Sequence, residues 1–110
     1  MDKQVIKESI LAYDRASKRT RREINVCTFM EEVTDLSGDK EKALSKLNEC
    51  ANYLKTLDSL CDTAIKELEK STTDFSLIET YCKSIDHTAS QLMDSIESYN
   101  SLRRKPVEKD

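Results

Sequence analysis

The stretch that most limits what this chain can fold into runs from Phe75 to Tyr99. Apolar residues fall at Phe75, Ile78, Cys82, Ile85, Ala89, Leu92, Ile96 and Tyr99, in steps that alternate three and four without a break. The positions between them are mostly Ser, Thr, Lys, Asp, Glu and Gln. Such a pattern belongs to a helix that packs one narrow stripe against other helices.

A second segment keeps the same rhythm. Ala43, Leu47, Cys50, Leu54, Leu57, Cys61, Ala64 and Leu68 alternate four and three. Leu44, Ala51 and Ile65 widen the stripe on one side and Leu60 on the other, so this helix can touch two neighbours. The first segment is looser. Ile6, Ile10, Tyr13, Ser17, Thr20, Ile24 and Cys27 keep the spacing, but Ser17 and Thr20 are polar.

Punctuation is sparse: the chain of 110 residues has one Gly and one Pro. Gly38 can take a left-handed helix stop, and Asp39 can cap the second helix. Ser71-Thr72-Thr73-Asp74 offers capping chemistry before the third segment. Ser76 with Glu79 forms a competing capping box. Pro106 forbids further helix. The expected architecture is all-α: an antiparallel up-down-up three-helix bundle with coiled-coil-like packing and helices at about 2–36, 39–70 and 74–104. Residues 1–105 are read as one domain and 106–110 as a polar tail.

Ser17 and Thr20 fall at the level of Thr56–Cys61 and Ile85–Ala89 when the chain is folded back. With Ala16, Cys61 and Ala89 they build a layer of small residues. The layer is either a tight waist or a place where the first helix docks weakly.

Four cysteines, Cys27, Cys50, Cys61 and Cys82, all sit on seams. Folding brings Cys27 level with Cys50 and Cys61 level with Cys82. Cys50 and Cys61 are about 16 Å apart along one helix, too far to share one zinc ion. They read as reduced core thiols, with two hairpin disulfides as the alternative. No metal or other cofactor is expected. His87 falls on the solvent side of its heptad, no carboxylate pair is held in a cleft, and one Gly cannot build a phosphate loop. The chain is therefore expected not to be an enzyme and to take no small-molecule substrate.

Charged residues make up 35% of the chain, with a net charge of −3, so the molecule as a whole is no generic nucleic-acid binder. The strongest local cluster is Arg15, Lys18, Arg19, Arg21 and Arg22. One reading makes it a wet face that pairs with the acidic third helix, near Asp86–Asp94. The other makes it a site for nucleic acid, anionic lipid or an acidic partner, or a nuclear-import signal. A broad apolar face at Val26, Phe29, Met30, Val33 and Leu36, beside Leu44, exceeds what a narrow seam requires. It either seals the bundle end or binds a partner.

These features point to a non-enzymatic adaptor or structural subunit that binds helical partners, or itself, through heptad seams and that apolar patch. The alternative is a nucleic-acid or anionic-lipid binding module that uses Arg15–Arg22. Without an apolar run of membrane-spanning length or a leader-like start, an intracellular site, cytoplasmic or nuclear, is expected.

Overall fold

A computed structural model describes residues 2–34 and 37–103. Leu36 and the tail at 106–110 lie outside the described residues. Three helices form an antiparallel bundle: α1 (Lys3–Thr34), α2 (Lys40–Leu68) and α3 (Phe75–Arg103). Among the described residues no helix is long and apolar enough to cross a membrane.

The ends follow from local chemistry. Asp2 accepts from the Gln4 amide at 2.9 Å and caps α1. Gly38 has φ +79°, a conformation that costs a residue with a Cβ. Asp39 then caps α2 by accepting from the Lys42 amide at 3.3 Å. At the second turn Asp74 wins over Ser76: its carboxylate accepts from the Leu77 amide at 3.2 Å, while Ser76 lies inside α3.

The middle helix organises the packing. All eight of its seam residues, Ala43 through Leu68, are buried. Both neighbours lie along α2, and the backbones of α1 and α3 scarcely meet. This turns the α3 stripe toward α2. Ile78, Ile85, Leu92 and Tyr99 are buried, but Phe75, Cys82, Ala89 and Ile96 are only half-buried. Thr88 and Ser95 are buried in their place, and Ser95 Oγ donates to Glu49 of α2 at 3.0 Å.

On α1 the buried column is Ile10, Ser17, Ile24 and Glu31, seven residues apart. Ser17 is silenced by its own helix, since its Oγ donates to the Asp14 carbonyl at 2.9 Å. Ala16, expected within the layer of small residues, is exposed, because it lies about a quarter-turn round the helix from the buried column.

Each turn is tied by a buried carboxylate from the helix before it. Glu31 is fully buried; it accepts from Tyr99 Oη at 2.9 Å and from Ser37 Oγ at 3.2 Å. These bonds join the far end of α1 to α3 and to the first turn. Burial, then the Glu31 bond, push the Tyr99 hydroxyl well above its ordinary value. At the opposite end Glu67 accepts from the Asp74 amide at 2.9 Å and pairs with Lys70 at 2.9 Å. The Asp74 amide, then Lys70, hold its carboxyl below the usual value.

Two outcomes are expected. Tyr99→Phe removes one of the few donors to a buried carboxylate and should cost about 1–3 kcal/mol in urea unfolding. Glu67→Gln should lower the melting temperature at pH 7. A lowered folded-state pKa stabilises above the unfolded value and is lost as pH falls through the folded one. The gap between the two proteins should therefore close on acidification below the ordinary carboxylate range. A melting series from neutral to acid pH checks this.

Candidate interaction surface on the outer face of α1

With Ile10, Ser17, Ile24 and Glu31 turned inward, the opposite face of α1 is fixed outward. Val26, Phe29 and Val33 lie on it and are 61%, 60% and 57% exposed. Isolated exposed apolar residues are ordinary, but three at helical spacing on one face form a patch. The remaining patch candidates divide. Met30 is half-buried at the edge of the face. Leu44 is half-buried against the core, in one column with Ala51, Asp58 and Ile65 along the α1–α2 seam. It does not join the outward strip.

The basic run also divides. Arg21 turns toward α2, where it pairs with Asp58 at 2.7 Å and reaches the Leu54 carbonyl at 3.4 Å. Lys18 pairs with Asp14 at 2.7 Å, and that bond raises its pKa. Arg15, Arg19 and Arg22 are exposed and form no ion pair among the described residues. The expected pairing with the acidic third helix is therefore corrected: no ion pair among the described residues links this run to α3. The three arginines lie on the face of α1 opposite its buried column and point away from the bundle. Asp86 of α3 instead accepts from Tyr13 Oη at 3.4 Å.

These positions form one line. Arg15, Arg19, Arg22, Val26, Phe29 and Val33 follow each other in steps of four, three, four, three and four. All six are exposed. The strip is about 27 Å long at the helical rise, cationic over its first half and apolar over its second. Exposed Glu23 and Glu32 flank the apolar half. No Gly or Pro interrupts α1, and the six positions lie on one unbroken helix.

Elsewhere the chemistry is spare. Among the described residues no group of three or more His, Cys, Asp or Glu side chains converges as metal ligands would. His87 is exposed in a shallow groove beside Thr80, Lys83 and Ser84. The four thiols are free. Cys27 lies within electrostatic reach of Cys50, and Cys82 of Cys61. Burial pushes the Cys50 and Cys61 thiols up to about 11, and it also raises Cys82. Protonated, enclosed thiols are poor nucleophiles.

A scan of protein-family models finds no match, and neither the curated proteins nor the solved structures yield one.

The thiol geometry sets an order of reactivity. Iodoacetamide at pH 8 should modify half-buried Cys27 and Cys82 well before Cys50 and Cys61, and unfolding in urea should erase the difference. Peptide mass spectrometry of timed samples reads the order directly.

Proposed function

We propose that this protein is a non-enzymatic helical interaction module, an adaptor or structural subunit of a larger assembly. It docks another helical protein on the outer face of α1. The observation that carries this reading is the patch of Val26, Phe29 and Val33 facing water on a rigid helix. The free thiols fit a reducing compartment, and an intracellular location, cytoplasmic or nuclear, is part of the proposal.

Magnitudes say what the patch can and cannot do. Fully burying a Val or Phe is worth about 1.5–3 kcal/mol, so three such residues supply at most about 5–9 kcal/mol. Association costs about 4–15 kcal/mol in lost freedom. The apolar half alone sustains only a weak complex, and polar contacts along the same strip must help.

The alternative use of Arg15, Arg19 and Arg22, binding phosphates of nucleic acid or lipid, draws on the same three outward cations. Three such contacts give weak, salt-sensitive binding. Glu23 and Glu32 beside the apolar half oppose an anionic surface.

The test is a double substitution, Val26→Glu with Phe29→Glu. Both positions are exposed, so stability should change by no more than about 0.5 kcal/mol. Proteins recovered by the wild-type chain from native extract should be lost by the variant in quantitative mass spectrometry. An unchanged set of recovered proteins removes this face from the function.

A further inference from the structure

We propose that the occupant of the α1 strip is a bipartite helix of a partner protein. Acidic side chains over half its length lie along Arg15, Arg19 and Arg22. Apolar side chains over the other half lie along Val26, Phe29 and Val33. The proposal rests on the interaction reading above and adds the chemistry of the partner.

The strip itself dictates that chemistry. Its six positions keep a coiled-coil rhythm, so a partner helix in register meets each of them with its own seam positions. Opposite the arginines an apolar seam residue would strip water from a cation and return nothing, whereas Glu or Asp accepts paired hydrogen bonds from the guanidinium. Opposite Val26, Phe29 and Val33 an acidic residue would lose its hydration without a partner, whereas Leu, Ile or Val gains by burial. Glu23 and Glu32 then favour Lys or Arg beside the partner's apolar half. A helix with acids spread along its whole length fits only half of the strip, and so does one that is apolar throughout.

A second copy of this chain fits poorly. Two α1 strips laid parallel set arginines against arginines. Laid antiparallel, they overlap only over Val26–Val33, because α1 ends at Thr34. That overlap offers about four side chains per copy, against roughly 20–30 per side in a stable interface. An anionic membrane or nucleic acid would attract the arginines but would also meet the two flanking glutamates, and nucleic acid gives Phe29 no apolar partner in register.

The test uses the full chain and labelled helical peptides of about 20 residues, read by fluorescence anisotropy. One peptide carries Glu at three successive seam positions and then Leu at three. A second has the two blocks exchanged, and a third scrambles the same composition. One block order is expected to bind and the scramble to fail. Binding should weaken about tenfold or more between about 50 mM and 300 mM salt, as screening of exposed ion pairs requires. Arg19→Glu with Arg22→Glu should abolish it, and Lys in place of the peptide's Glu residues should restore it to that variant. Phe29→Ala should weaken it without removing the salt dependence.

The proposal is overturned by binding of all three peptides alike, by failure of both block orders, or by the arginine reversals leaving affinity unchanged. Binding to phosphatidylserine vesicles or a single-stranded oligonucleotide in place of the peptides also overturns it. The two levels separate in the extract experiment. Loss of recovered proteins on Val26→Glu with Phe29→Glu, but not on the arginine reversals, leaves the interaction module standing and removes the bipartite partner. No loss on either removes both.

Discussion

Everything else in this bundle depends on α2 presenting apolar side chains in two directions at once. Its eight seam residues are buried, and half-buried Leu44, Ala51, Tyr53, Leu60 and Ile65 flank them. Because the wide stripe serves both neighbours, the backbones of α1 and α3 need not approach closely; side chains join them at two levels, Tyr13 to Asp86 and Tyr99 to Glu31. A helix gains its stability from packing one face. Here α3 spends its stripe on α2, leaving Cys82, Ala89 and Ile96 half-covered. Two polar residues, Thr88 and Ser95, are enclosed on the other side. The same arrangement leaves the far side of α1 with no structural duty.

Much of this is visible in the residues, and the reasons differ from helix to helix. The α2 stripe is legible because it is wide and unbroken, so one-dimensional spacing and three-dimensional burial coincide. The α3 stripe is legible only to within a rotation of one flank. Spacing tells which residues share a face, but the angle of that face depends on whether α1 closes against it. Glu31 escapes a sequence reading altogether. It lies seven residues beyond Ile24 and so sits in the buried column, yet an isolated acid there reads as the end of the stripe. What makes it tolerable is Tyr99, 68 positions later, together with Ser37. A buried carboxylate needs its donors in place, and nothing local announces them.

The candidate surface is half-legible for the same reason. The excess of apolar residues between Val26 and Val33 shows in the sequence, and so does the cluster of cations before it. Their union into one straight strip does not. It depends on Arg21 being drawn out of the cluster by Asp58 and on Met30 turning to the edge. The charge of α3 suggests an internal use for the arginines. Their place opposite the buried column denies it, because an exposed cation beyond reach of a carboxylate gains almost nothing within the chain.

The first helix consequently presents two unlike faces. Its inward column contains only two fully enclosed apolar residues, Ile10 and Ile24, alongside Ser17 and Glu31. Its outward strip carries three exposed apolar side chains, Val26, Phe29 and Val33. On the function proposed above, α1 is the helix whose packing a partner would supplement. The gain takes a definite thermodynamic form: a ligand that binds only the folded state adds RT ln(1 + [L]/Kd) to its stability. The strip is already helical and uninterrupted, so binding orders little new backbone, and what the contacts supply goes to affinity rather than to folding.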